Sequence, residues 1–170
     1  MRKFTEFISR CLGIVLIILM AAMVLDVTWQ VVTRFILNNP SSFTEELAGF
    51  LLIWIGLLGA SYAYFTRSHL GIDVLTYKLT GKKKQIVEVV INVIVLLFAF
   101  FVMILGGMRL VNLTFTLKQM STALQIKMGY IYLVIPIAGA FIIYFAIYFI
   151  IEALRSKPVV TADHKTAVIE

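Results

Sequence analysis

At 170 residues, 61% hydrophobic and only 14% charged, with a mean hydropathy of +0.99, the chain lies far outside the composition of a soluble domain. Its net charge of +6 comes from basic residues clustered between apolar runs, the pattern of membrane-flanking charge and not of a nucleic-acid surface. The single cysteine, Cys11, excludes an internal disulfide, and the composition implies an integral membrane protein.

Met1-Arg2-Lys3 ahead of an apolar run imitates a secretory signal. No A-x-A-like site follows, and the apolar pattern continues past Asp26 to Leu37, so a retained first helix is expected over about residues 12–37. At 1.5 Å per residue it would reach about 39 Å, enough to cross a bilayer with tilt. Asp26, Trp29, Gln30, Thr33 and Arg34 recur at three- and four-residue spacing, which predicts one polar stripe. An Asp near mid-bilayer costs roughly 2.5–3.5 kcal/mol, so the stripe is expected to face protein as a hydrogen-bonded seam. An ion relay is the sharper alternative, but it has one carboxylate and no second acid or His beside it.

Asn38 to Ser42 forms a tight turn around Pro40, and Ser42-x-x-Glu45 reads as a capping box opening a second helix over about 43–66. First-turn acids complement the helix dipole, and one suffices. Glu46 is then left to meet Arg34, which the short turn brings to the same membrane face. From Leu47 to Thr66 no formal charge appears, a length that matches a bilayer core. Gly49, Gly56, Ala60 and Ala63 fall in one sector of this helix, closed by Arg67, and predict a close-packing face. Trp54 lies roughly opposite, in mid-span. It reads either as a ring in a crevice of this bundle or as an anchor against a second membrane subunit.

The stretch from Arg67 to Glu88 is the most basic, with Lys78 and Lys82–Lys84, and it carries Ile72, Leu75 and Leu79 on one face of a short amphipathic interfacial segment. His69 and Asp73 are spaced i, i+4. Without a nucleophile or further ligands they form neither a hydrolase nor a metal site, and an orienting or docking role is expected. A third helix is predicted over about 86–117, running past Gly106-Gly107 and Arg109. Residues 118–127 read as a loop, and a fourth helix spans about 128–151 with a kink at Pro136. The polar tail, 158–170, is expected to be disordered.

The fold class is therefore an all-α integral membrane protein whose four-helix transmembrane domain covers 1–157. The basic residues Arg2, Lys3, Arg10, Arg67, Lys78, Lys82–Lys84, Arg155, Lys157 and Lys165 fall on one side of such a bundle. Only Arg34, Arg109, Lys118 and Lys127 fall on the other. The positive-inside rule then places both termini and the lysine loop in the cytoplasm. Two His residues, one of them in the tail, exclude a bis-histidine haem site, and no motif for metal, nucleotide or other cofactor appears. No constellation supports an enzyme.

The ordered set of Arg34, Glu45-Glu46, Trp54, Gly59-Ala60 and His69-x-x-x-Asp73 resembles the DctQ-type small membrane subunit of TRAP (tripartite ATP-independent periplasmic) transporters. The stretch from Ser121 to Pro136 is similar to that family's last loop and fourth helix, with Thr122 where a proline often stands. The resemblance covers about residues 5–155 and leans toward the sialic-acid branch. It implies a non-catalytic scaffold beside a large elevator-type subunit that carries an organic anion inward with sodium. It also implies transient docking of a periplasmic substrate-binding protein, for which Lys118 and Lys127 are the outward cations. Asp26, Arg34, Glu45, Glu46, Trp54, Gly56, Ala60, Arg67, His69, Asp73 and Arg109 are then interaction or structural residues. The partners are the large subunit, the binding protein and membrane lipids. The chain ends after its fourth helix, so the large subunit is expected on a separate chain. The competing reading is a self-assembling proton- or cation-coupled exporter or channel that uses Asp26 or Glu46.

Overall fold

The computed structural model describes residues 2–37, 41–66 and 82–155. Four helical spans among them are long and apolar enough to cross a membrane: Lys3–Phe35, Ser42–Phe65, Lys83–Thr116 and Met128–Arg155. The first span belongs to α1 (Arg2–Phe35) and the second is α2 (Ser42–Phe65). The third is continuous through α3 (Lys82–Phe98), a π-helical segment (Ala99–Gly106) and α4 (Gly107–Thr116). The fourth is divided at Leu133 into α5 (Met128–Tyr132) and α6 (Val134–Arg155). Arg67, His69, Asp73, the expected interfacial segment and the tail lie outside the described residues.

The first helix starts about ten residues before the expected position. Hydropathy is diluted by Arg2, Lys3, Glu6 and Arg10, yet Thr5, Ser9 and Leu12 recur at helical spacing and are buried. Thr5 Oγ1 shares a hydrogen bond of 3.1 Å with the Tyr144 hydroxyl of α6, which fastens this end of α1 to the bundle. The third span likewise begins before its expected start. There Gln85 Nε2 donates to the Ala153 carbonyl at 2.6 Å, and the Asn92 amide accepts from the Tyr64 hydroxyl.

The division at Leu133 follows from Pro136, which has no N–H for the Tyr132 carbonyl and whose ring crowds that carbonyl. Beyond it, α6 is the central element and packs against α2, α3 and the π-helical segment, while α1 packs mainly on α2. The core holds Leu58, Ala99, Met103, Val134, Ala138, Phe145 and Phe149. Ser61, fully buried, donates to the Leu57 and Ala138 carbonyls at 3.1 and 3.2 Å, so its hydroxyl is satisfied between α2 and α6. Phe65 lies tilted against Phe145 at 4.9 Å and Tyr64 meets Phe149 edge-on at 5.7 Å, closing one end of the bundle with aromatic rings.

Tight packing against glycine occurs where the sequence pattern did not place it. At Gly139 an added Cβ would lie 2.7 Å from Met103 Cβ, at Gly107 2.9 Å from Ile135 Cγ2, and at Gly129 2.6 Å from the Phe115 ring. Gly49 and Gly56 of the predicted close-packing face would meet nothing within 4 Å, and Ala60 beside them is half-buried. The small-residue face of α2 is therefore left uncovered by this chain at Gly49 and Gly56. The buried face of α2 is instead Thr44, Leu58, Ser61 and Tyr64.

Candidate functional site

Two features of the bundle concentrate polar chemistry or unfilled space: the end where α2 begins, and a groove beside Trp54.

At the start of α2 the expected capping box is absent. Ser41 holds the N-cap position without a side-chain cap, Thr44 Oγ1 donates back to the Ser41 carbonyl at 2.9 Å, and Glu45 is exposed. Glu46 does not meet Arg34 either. Its Oε1 accepts from the Thr122 amide at 2.9 Å, and its Oε2 accepts from the amides of Ala123 and Leu124 at 2.9 and 2.8 Å. Three successive N–H groups thus converge on one carboxylate from a residue 76 to 78 positions away. Backbone amides arranged in this way form a concave anion nest, and here the anion belongs to the same chain. Ser121 beside it is buried, and its hydroxyl has no hydrogen-bond partner among the described residues.

The partner of Glu46 is the loop between α4 and α5, and that loop has a defined shape. An isolated antiparallel bridge joins Met120 to Lys127, the Ser121 amide donates to the Ile126 carbonyl at 2.9 Å, and the Met128 amide donates to Gln119 at 3.0 Å. Lys118 and Gln125 take left-handed backbone angles, with φ of 50° and 53°, which cost energy for residues with a Cβ and persist only when neighbours hold them. Lys118 and Lys127 are both exposed, and neither has an ionic partner among the described residues. Arg109, on α4, is also exposed.

The polar stripe of α1 is divided. Asp26 and Thr33 are buried and Gln30 is half-buried, whereas Trp29 and Arg34 are exposed. Thr33 Oγ1 is satisfied by the Gln30 carbonyl of its own helix at 2.9 Å, and the Arg34 guanidinium sits over the Phe35 ring, 6.0 Å from its centroid. Asp26 Oδ2 is buried with no hydrogen-bond partner among the described residues. The expected seam is thus present as burial, without the hydrogen bonds between helices. Three- and four-residue spacing spreads over more than 100° of the helix circumference, so one stripe in sequence spans two environments here.

Trp54 packs against this chain's own core, in a crevice between α1, α2 and α6. It borders an apolar groove of about 360 Å³, lined also by Phe7, Cys11, Val15, Leu58, Ile137 and Phe141.

A family model described as "Tripartite ATP-independent periplasmic transporters, DctQ component" matches residues 23–156, most of the chain. The chain belongs to the DctQ family. The relatives agree with that membership. The sialic acid TRAP transporter small permease protein SiaQ of Vibrio cholerae is 31% identical over 106 residues, 62% of this chain and 61% of that protein. The isethionate TRAP transporter permease protein DctMQ of Oleidesulfovibrio alaskensis is 30% identical over 125 residues, 70% of this chain and 20% of that protein. The sialic acid TRAP transporter permease protein SiaT of Haemophilus influenzae is 30% identical over 83 residues, 49% of this chain and 13% of that protein. The chain thus spans about three-fifths of the length of the small permeases it matches, 61% and 63% for two of them.

Within this DctQ chain, the residues that sequence reasoning missed are the amides of Thr122, Ala123 and Leu124, together with Gly107, Gly129 and Gly139. A signal for the first set existed. An even number of spans puts the start of α2 and the α4–α5 loop at the same membrane face. The polar run Ser121-Thr122 there offers donors to an acid that the helix cap does not use.

Proposed function

We propose that this chain is the non-catalytic small subunit of a sodium-coupled secondary transporter for an organic anion, sialic acid or another carboxylate. It acts as a static scaffold for a large elevator-type subunit and helps dock a periplasmic substrate-binding protein. Membership of the DctQ family supports the reading, together with the names of relatives that handle sialic acid and isethionate. One observation carries it furthest: the face of α2 bearing Gly49 and Gly56 is uncovered by the chain itself. Small residues let helices approach closely in lipid, where packing and not the hydrophobic effect drives association. The large subunit is the partner we assign to that face.

The exporter reading requires a carboxylate free to exchange ions. Glu46 is committed to three amides, which leaves Asp26 as the group on which that reading depends. One reconstitution separates the two functions. The isolated chain in liposomes is expected to give no substrate- or cation-dependent flux, and the complete transporter is expected to extract with this chain bound to its large subunit. Flux through the isolated chain, abolished by Asp26→Asn, would overturn the subunit reading.

We also propose that the α4–α5 loop faces the periplasm and that both termini lie in the cytoplasm of a bacterial inner membrane. The excess of Lys and Arg on the side of the termini supports this orientation. In a Cys11→Ser background, Lys118→Cys is expected to react with an impermeant maleimide added to spheroplasts, and Lys83→Cys is expected to be protected until lysis. The reverse pattern would invert the topology.

A further inference from the structure

We propose that Glu46 is the positioning residue of the docking face: it pins the α4–α5 loop so that Lys118 and Lys127 are presented, preorganised, to an acidic surface of the substrate-binding protein. This rests on the docking role proposed above for the two lysines.

The loop's other hydrogen bonds among the described residues are local. Lys118 N donates to Phe115, Gln119 N to Thr114, Ser121 N to Ile126 and Gln125 Nε2 to Thr122. These bonds close the loop on itself and on the end of α4, and they do not fix it against α2. Glu46 supplies that attachment through the three amides at the loop's turn. A charged acceptor makes each such bond stronger than one between neutral groups. The strained backbone at Lys118 lies four residues from the first pinned amide, so the direction of that side chain depends on the shape the pin maintains.

The charge arrangement has the same consequence. Glu46 is held by backbone dipoles and not by a lysine, so it does not occupy Lys118 or Lys127, which are left for an external partner. Opposite charges at the rim of an interface steer encounter, and holding the loop in its bound shape removes part of the ordering cost of docking.

The two carboxylate oxygens have different jobs, which makes the idea testable by isosteric change. Oε1 accepts from Thr122, while Oε2 accepts from both Ala123 and Leu124. In Glu46→Gln one of these positions becomes an NH2 facing an N–H donor, so at least one bond is replaced by repulsion. Glu46→Asp keeps both acceptors on a shorter stem.

The experiment uses the complete membrane complex in proteoliposomes, with substrate uptake measured against the concentration of substrate-loaded binding protein. For Glu46→Gln the half-saturating concentration is expected to rise about fivefold to tenfold, the scale of losing complementary rim charge, with the maximal rate kept. Glu46→Asp should restore part of the shift. Lys118→Ala/Lys127→Ala should raise half-saturation on its own, and adding Glu46→Gln to it should raise it little further, because both act through one surface. A lysine variant that shifts half-saturation while Glu46→Gln does not would overturn the positioning role. So would a Glu46→Gln variant that loses maximal rate at unchanged half-saturation, since that is a failure of assembly. A lysine variant with no effect would remove the docking reading itself, and the role of Glu46 with it.

Discussion

Replacing Gly139 with valine is expected to prevent the bundle from closing, and Gly139→Ala to lower its stability by about 1–3 kcal/mol, the usual cost of overpacking. An added Cβ at this position would lie 2.7 Å from Met103 Cβ and 3.3 Å from Ile104 Cδ1, with the Ala99 carbonyl at 3.5 Å. Met103 Cβ is fixed to its own backbone and cannot swing aside, so α6 and the π-helical segment must separate. That separation forfeits contacts around Ala99, Met103 and Ala138, all buried. Melting of the purified chain in detergent, followed by size-exclusion recovery after heating, measures the effect. Unchanged melting of Gly139→Val would show that the two spans need not touch here. Gly56→Ala is the contrasting variant. Its Cβ meets nothing within 4 Å, and alanine gains about 0.8–1.0 kcal/mol of helix propensity over glycine, so the isolated chain should melt no lower. If the large subunit occupies that face, recovery of the complex should fall instead.

Glu46→Ala is expected to accelerate amide exchange at Thr122, Ala123 and Leu124 by about a hundredfold, while amides in the core of α6 keep their protection. Three N–H groups lose a charged acceptor at once. A hydrogen bond to a charged acceptor is stronger than one between neutral groups, and the loop's freedom to turn its amides to water returns part of that difference. Exchange mass spectrometry on peptides covering 117–127 reads it directly. Rates equal to those of the parent chain would mean that the bridge between Met120 and Lys127 holds the loop without help.

The fold was legible because membrane helices announce themselves by length. The four expected spans and the interruption before Pro136 all appear in the structure, since twenty apolar residues and a missing N–H are local facts. Helix ends were less legible. The N-terminal turns of α1 carry the exposed Lys3 and Arg10 and the half-buried Glu6, so hydropathy fades there while the helix continues. The start of α2 was read as a local cap because Glu46 and the acceptor-seeking amides of Thr122 to Leu124 are more than seventy positions apart, beyond the reach of any local pattern. Similarly, a glycine's row on a helical wheel reveals nothing about which neighbour arrives. Gly56 belongs to a visible row and meets nothing, whereas Gly139 lies against Met103.

The π-helical segment has a geometric consequence for how one span serves two neighbourhoods. Along the third span Ala99, Met103, Gly107 and Val111, all buried, recur every four residues before Thr114 follows at three. A turn of 3.6 residues would carry such a row round the axis by about 40° at each step. Bonds from i to i+5 take an extra residue into each turn and cancel much of that drift, keeping the row directed at α6 and α5. The segment works as a phase adjuster. It lets the half bearing Gln85 and Asn92 and the half bearing Phe115 each meet its own neighbour, with no break in the hydrogen-bonded ladder that the lipid requires.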